Sequence, residues 1–336
     1  MKLINKLKNS FLNRNANILH YSKTINIKNT DISLSKLGSR NKNKTFYVIK
    51  RTPGAGLFSN VAFVLNHLLI ANKHKFIPII DMKNFPTIYN EKNRINKTRN
   101  SWEYYFENLT KYKLEDIYKS NRVFITDNRF YRSMTHEINS KYFNNVKSLI
   151  KPKKEHLDFA NLFFDKNLKN KKVLGVHYRG TSYKTSANHP FPPTKKQIIN
   201  KVDDLIKKEK FNAIFLCTEE MRYLELFKKK YNNKLFYINS FRSNSDNAFK
   251  IYPRKNHRYE LGREILIETL LLSKCNTFLH IETNVSHFVK FFSKNKKQKF
   301  IILDNGYNSK NEYIARWLWY LKNIFPGWLG GFKSHL

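Results

Sequence analysis

The sequence predicts an α/β protein made of two facing Rossmann-like domains, each a parallel sheet flanked by helices. Three observations carry this. From residue 173 to 303 short apolar strands alternate with helical stretches, the pattern of a doubly wound sheet. A strand–turn–helix–strand unit lies ahead of them, between Thr45 and Asp81, and such units build parallel sheets. The chain has 336 residues, enough for two such domains.

Taken in order, residues 1–44 are polar and rich in Lys and Asn, and read as a loosely ordered arm with one short helix near Leu3–Leu12. The first strand is Thr45–Lys50. A turn at Pro53–Gly56 leads to a helix over Leu57–Asn72, with apolar residues at 57, 61, 64, 65, 68 and 69. A strand at Phe76–Asp81 follows, then short helices at Trp102–Leu109 and Leu114–Tyr118 and a strand at Val123–Thr126. This first domain, 45–165, would be followed by a second at 166–304. The second has strands at Val173–Tyr178, Ala213–Cys217, Leu235–Ile238, Thr277–Ile281 and Lys299–Leu303. Its helices are expected at Thr194–Lys208, after Cys217 with Thr218 as N-cap, at Tyr259–Lys274 and at Asn284–Ser293. The tail, 305–336, carries an aromatic helix expected to pack back on the first domain.

Composition excludes several classes. Two cysteines, Cys217 and Cys275, cannot build a disulfide scaffold or a four-thiolate zinc site. No CxxC, HExxH, EF-hand, Walker A or nucleophile-elbow motif is present. No Asp-x-Asp pair occurs, and Asp203 and Asp204 point to different helix faces. No apolar run reaches a membrane span, and the basic start lacks a signal-peptide core. The net charge of +38 is made by 63 Lys and Arg against 25 Asp and Glu. Such a charge attracts nucleic acid, anionic membranes or phosphorylated ligands. Yet Lys is spread through the whole chain beside abundant Asn, Ile, Phe and Tyr, a bias that inflates Lys whatever the function. Without a zinc finger, basic zipper or RNP1 strand, nucleic acid is not expected as the partner.

Ligands of open α/β sheets bind past the carboxyl ends of the strands. In the second domain this edge collects His177, Arg179, Thr218, Glu219, Glu282, Thr283 and Ser286. Arg179 before a Gly turn suits a diphosphate, and the helix opening at Asn284 offers free N–H groups. Glu268, set among apolar residues, is costly to bury without a partner and reads as a carboxylate for a ligand such as guanine. Each also has a plain structural reading: a strand-end histidine, a surface ion pair, a helix-edge acid. In the first domain Gly54-Ala55-Gly56 reads as a tight strand-to-helix turn, and Asp81 ends a strand facing the cleft.

The segment Gly175–Thr181 resembles the His-x-Arg-x-x-Asp motif of GDP-fucose-dependent fucosyltransferases, namely the α-1,6 and nodulation type and the related protein O-fucosyltransferases. Cys217–Thr218–Glu219 resembles their Thr-Asp block, and Ile267–Cys275 with Thr283–Ser286 their last block. Gly54–Asn60 resembles the loop opening their acceptor-side domain. The resemblance spans residues 46–290. It implies a GT-B fold and inverting transfer without a metal or other cofactor. His177 and Glu268 would contact guanine, Arg179 would bind the β-phosphate, and Thr218, Thr283 and Ser286 would line the pocket. The chain departs from the motif at Ser182, where an Asp is usual, and the loop 182–197 holds no carboxylate. His189 in that loop, and Asp81 or Glu103 from the other domain, are therefore candidates for the general base, and a dissociative mechanism with little base help is the alternative.

These readings lead to an expectation of a metal-independent transferase moving fucose from GDP-fucose to a hydroxyl of a glycan, such as a bacterial surface polysaccharide or lipopolysaccharide precursor. It would be cytoplasmic, with peripheral contact at an anionic inner membrane through charge and the aromatic tail. The alternatives are a nucleotide- or glycan-binding relative without turnover, and a basic RNA-binding protein.

Overall fold

The computed structural model describes residues 34–126, 138–245 and 247–332. The expected helix near Leu3–Leu12 lies outside them. The chain divides into two units at Lys153/Lys154.

The first unit holds a four-stranded sheet in the order β1-β4-β2-β3. Strand β1 is Leu34–Ser35, β2 Arg40–Ile49, β3 Ile77–Ile80 and β4 Ser120–Ile125. β2 pairs in parallel with β3 and β4, and β1 adds antiparallel to β4. β2 starts at Arg40, ahead of the expected Thr45, because Arg40 pairs with Ser120 across a register shift. The polar run RNKNK gives no alternation from which that pairing could be read. Helix α1 (Leu57–Lys73) is apolar nearly all round and buried along most of its length. Two buried polar side chains near its middle bond inside: Asn66 donates to the Ala62 carbonyl at 2.9 Å, and His67 Nδ1 meets the Tyr47 hydroxyl at 3.0 Å. The helix expected over Trp102–Leu109 is only a 3₁₀ turn, Ser101–Tyr104, because Phe106 leaves it to bridge Pro152. One-turn helices α2 (Leu114–Ile117) and α3 (Asn144–Lys147) complete the unit.

Helix α4 (Lys154–Asn167) opens the second unit. The first domain, expected to close at 165, ends ahead of this helix: α4 lies along the helix over His257–Leu272 of the second unit. The sheet here is wholly parallel, in the order β7-β6-β5-β8-β9. Its strands are β5 (Val173–His177), β6 (Ala213–Cys217), β7 (Leu235–Phe236), β8 (Thr277–His280) and β9 (Lys299–Ile302). Chain order therefore reverses between β5 and β8, which sets the topological switch point there.

Helices α5 (Lys195–Glu209) and α6 (Met221–Tyr231) cover one face. They pack Val202, Leu205, Tyr223, Leu224 and Phe227 against Leu174, Val176 and Tyr178. Helix α7 (His257–Leu272) lies on the opposite face, with α4 alongside it and α8 (Asn284–Phe292) next to it. The helix end packs close over Gly175: a Cβ there would sit 3.0 Å from Cys275 Sγ and from Leu272 Cδ2. α6 begins later than expected, with Glu220 and not Thr218 as N-cap.

The tail helix α9 (Glu312–Ile324) belongs to the second unit, not the first. Trp319 Nε1 donates to the Pro192 carbonyl at 2.9 Å, and Ala315 is fully buried. The Phe332 ring meets Phe191 edge-on at 5.4 Å. Among the described residues no helix is long and apolar enough to cross a membrane.

Candidate functional site at the carboxyl edge of the second sheet

Parallel registry builds the site. His177 pairs with Cys217, and Val176 pairs with Leu279 one residue earlier, so His177 and His280 end adjacent strands side by side. His280 in turn pairs with Ile302. Because side chains alternate, this row shares the α7 face with Gly175, while Tyr178 turns to the other. Both imidazoles are buried, and each keeps one ring nitrogen without a hydrogen-bond partner, Nδ1 of His177 and Nε2 of His280. Burial lowers the pKa of His177 to about 3, helped by Arg179 and His280. It lowers that of His280 to about 4. Both rings are neutral near pH 7. His280 Nδ1 lies 2.9 Å from the Ile281 carbonyl. A carbonyl only accepts, so Nδ1 carries the proton and Nε2 is a bare acceptor.

Two residues past β5, Arg179 is half-buried. Its Nε lies 3.4 Å from Glu219 Oε1, and its guanidinium covers the Tyr183 ring at 4.7 Å. Glu219 also accepts from the Gly180 amide at 3.0 Å. One acid from the β6 end thus fixes the turn after β5. Tyr183 meets His189 edge-on at 4.8 Å, so His189 joins the cluster. Its Nδ1 lies 2.8 Å from the Ala187 carbonyl, which again leaves Nε2 as the acceptor.

Thr283 and Ser286 cap α8 reciprocally. Ser286 N donates to Thr283 Oγ1 at 3.1 Å and Thr283 N to Ser286 Oγ at 2.9 Å, with both side chains buried. Their hydroxyls orient the helix start, and its remaining amides carry the positive dipole end. Thr218 is also buried, accepting from Glu220 N at 3.3 Å.

Glu268 finds its partners inside the unit. Oε1 accepts from Ser240 Oγ at 2.9 Å and faces Arg242 Nη2 at 3.5 Å; Oε2 accepts from Cys217 Sγ at 3.0 Å. Burial raises its pKa to about 7 against the pull of Arg242 and of the Cys217 and Ser240 hydrogen bonds. Any ligand contact there competes with Ser240 and Cys217.

In the first unit, Asn60 closes the loop that Gly54 and Gly56 frame. Its side chain bonds Ala55 N at 2.9 Å and Ala55 O at 3.1 Å. Gly54 has φ +74°, a left-handed conformation that other residues rarely adopt. Space beside Gly56 is open. Asp81 is not placed as a base. It is fully buried, accepting from Lys83 N, Asn84 N, Asn84 Nδ2 and Tyr118 Oη at 2.7–3.0 Å.

Sequence reasoning missed His280, Arg242 and a buried charge cluster. Arg242 is held by the Ser240 and Ile238 carbonyls at 3.0 and 3.1 Å. The cluster is Glu220, fully buried, with Lys184 at 2.8 Å and Arg222 on its other oxygen. The one available signal for His280 was an imidazole at the end of an apolar strand, the same signal that singled out His177. Nothing in the sequence distinguishes Lys184 from its many neighbours. Among the described residues no group of three or more His, Cys, Asp and Glu is placed to hold a metal ion.

No family model matches the chain, and no curated protein matches it. Solved structures do. NodZ α-1,6-fucosyltransferase co-crystallized with GDP superposes with a TM-score of 0.47 at 15% identity, covering 74% of this chain and 92% of that one. Fucosyltransferase NodZ from Bradyrhizobium gives 0.46 at 16%, with coverage of 74% and 92%. POFUT1 in complex with GDP-fucose gives 0.46 at 10%, with coverage of 79% and 100%. A likeness of that size leaves function to be argued from this chain's own residues.

Proposed function

We propose that the chain is an inverting, metal-independent glycosyltransferase that moves fucose from GDP-fucose to a hydroxyl of a glycan, such as a bacterial surface polysaccharide or lipopolysaccharide precursor. The observation that carries this is the switch-point edge of the second sheet. There Arg179, the neutral pair His177 and His280, and the capped start of α8 come together. Sequence resemblance adds the donor's identity, since the His-x-Arg segment is the one shared with GDP-fucose enzymes.

In this reading Arg179 takes the diphosphate and stabilises the charge that grows on it as the sugar leaves. The α8 amides add to that field. His280 Nε2, an unpartnered acceptor, takes a hydrogen bond from the nucleoside. His177 lines the same pocket. Glu268 is the contact resemblance assigns to guanine, reached through the Ser240 side. His189 Nε2 accepts the proton of the attacking hydroxyl. The loop Gly54–Asn60 of the first unit is assigned to the acceptor.

GDP should raise the melting temperature by mass action, and UDP should not. Equal stabilisation by UDP sinks the guanine assignment. One observation favours a second reading, binding without turnover: residues 182–197 contain no carboxylate. Mass spectrometry of GDP-fucose incubated with candidate glycans separates the two, since only a transferase releases GDP with a fucosylated product.

Attachment to an anionic membrane is part of the proposal. Tyr313, Trp317, Ile324 and Trp328 are 78%, 68%, 76% and 83% exposed on the tail, an apolar aromatic face beside Arg316 and Lys322. Aromatic and basic side chains together favour such an interface. Co-sedimentation with phosphatidylglycerol vesicles but not phosphatidylcholine vesicles supports it; no pelleting with either removes it.

A further inference from the structure

A cavity lies in the second unit, on the face of the sheet opposite the imidazole row. Its volume is about 500 Å³, within the range of roughly 300–1,000 Å³ that ligand pockets occupy. Strand alternation separates it from the imidazole row: Tyr178 stacks on Tyr223 at 3.8 Å, and Tyr223 lines the cavity. Glycosyl transfer as proposed above makes no use of it.

The lining has an unusual make-up. It carries four cations, Lys184, Lys195, Lys196 and Arg222, and no carboxylate. Glu220, buried behind it, is paired with Lys184 and Arg222. Setting that one acid against the four cations leaves three positive charges uncompensated. Lys195 and Lys196 are exposed in the first turn of α5. Among the described residues neither has a carboxylate partner. Two lysines there are unfavourable for the helix itself, whose dipole favours acids at that end. Such a placement lowers stability unless an anion compensates it.

The other walls are aromatic. Trp319 and Tyr320 of α9 stand edge to face at 5.2 Å, and Phe332 and Tyr223 close the sides. Trp319 is fixed by its bond to the Pro192 carbonyl and by the Lys184 ammonium over its ring at 5.2 Å. Tyr320 is 45% exposed, so its ring is open to a ligand. Rigid rings with two amides, Asn323 and Gln197, the latter already bonded to Thr194 N and Asn305, and convergent cations suit a ligand with an apolar ring face, hydroxyls and a negative charge.

We propose that this cavity binds a sugar carrying a phosphate or carboxylate, its anion held by Lys195 and Lys196 and its ring laid against Tyr320. The site stands whether or not the donor edge binds GDP-fucose. If it does, the cavity recognises an acidic part of the acceptor.

Binding is read by intrinsic tryptophan fluorescence, because Trp319 lines the cavity, and by calorimetry on the full chain. The probes are glucose 6-phosphate, glucuronate, glucose and inorganic phosphate. Glucose 6-phosphate or glucuronate should bind saturably in the millimolar range or tighter, and glucose should not. The double variant Lys195→Glu/Lys196→Glu changes only exposed side chains. It should weaken binding by at least roughly tenfold, the effect of reversing a close charge pair, while the GDP-induced thermal shift stays as in the parent. Tyr320→Ala should weaken the sugar phosphate but not inorganic phosphate. The proposal falls if neither acidic sugar binds, if glucose binds equally well, or if the double variant binds unchanged. It also falls if inorganic phosphate matches the sugar phosphate, which would make the site one for a bare anion.

Discussion

His177 and His280 stand side by side at the ends of neighbouring parallel strands, both buried and both held neutral, one at a pKa of about 3 and the other at about 4. Their free nitrogens are unpartnered inside the protein. A buried polar atom left unsatisfied costs about 1–3 kcal/mol, so the pair lowers stability unless a ligand uses it. His280→Phe should therefore keep or raise the melting temperature of the apo protein while weakening GDP binding. Calorimetric titration of both proteins with GDP checks this. Unchanged GDP affinity removes His280 from the pocket.

Glu268 and the two histidines respond to pH in opposite directions. Folded Glu268 keeps its proton up to about pH 7, whereas its ordinary pKa is 4.5. Between those values the folded state binds more protons, so acidification stabilises it. The histidines, held far below their ordinary 6.5, bind fewer protons when folded, so acidification below 6.5 destabilises. Glu268→Gln removes only the first effect. The parent should gain on this variant as pH falls from 8 to 5, by up to about 3 kcal/mol from the size of the carboxylate shift. Denaturant midpoints at the two pH values measure it. A difference that does not change with pH means that Glu268 is ionised throughout.

Gly180 is required by the buried acid beneath it. A Cβ at that position would lie 2.0 Å from Glu220 Oε1 and 2.6 Å from Tyr223 Cε2. Glu220 cannot give way, since Lys184 and Arg222 hold both oxygens. Gly180→Ala should cost about 1–3 kcal/mol, as overpacking does. It should also shift Arg179, one residue away. Urea unfolding gives the first number; stability within error of the parent refutes the clash.

How far the sequence revealed this molecule differs between its parts. The second sheet was legible because its strands are short apolar runs separated by amphipathic helices; the switch point was not, because it is set by the pairing of β5 with β8 and not by the order along the chain. Arg179 and His177 followed from their place at a strand end. The start of β2 at Arg40 was not legible, because its pairing with Ser120 is made by polar residues without alternation. Asp81 looked like a cleft acid because a strand-ending Asp reads the same whether it meets solvent or, as here, four donors. Lys184 could not be found at all. Only the burial of Glu220, set by tertiary packing, separates it from the other lysines. The tail went to the second unit because Trp319 found the carbonyl of Pro192, a contact across 127 residues.

Lys184 gives the test of that buried cluster. Removing one partner of a buried ion pair costs about 3–5 kcal/mol where the other charge is left unpaired. Arg222 still faces Glu220 here, so Lys184→Met should fall at or below the lower end, near 3 kcal/mol. Glu220→Gln with Lys184→Met should recover part of the loss, because no buried charge is then left without its partner. Double-mutant-cycle analysis of urea midpoints decides it, and strict additivity would show the two side chains to be energetically independent.

Arg179 is the decisive residue for the transferase reading. Its guanidinium lies on Tyr183 and beside Glu219, and at 3.4 Å this half-buried, solvent-touched pair contributes little, about 1 kcal/mol. Arg179→Ala should accordingly move the melting temperature little. Transfer should drop far more, because a donor aimed at charge that develops in the transition state is worth about 10²–10³ in kcat. Arg179→Lys keeps the charge but loses the planar fork, so it should recover GDP binding more than turnover. Measured together, kcat, GDP affinity and melting temperature separate three outcomes. A fall in all three alike means that Arg179 is structural, and unchanged turnover in Arg179→Ala places the chemistry elsewhere. A loss confined to kcat and GDP affinity puts the diphosphate on this residue.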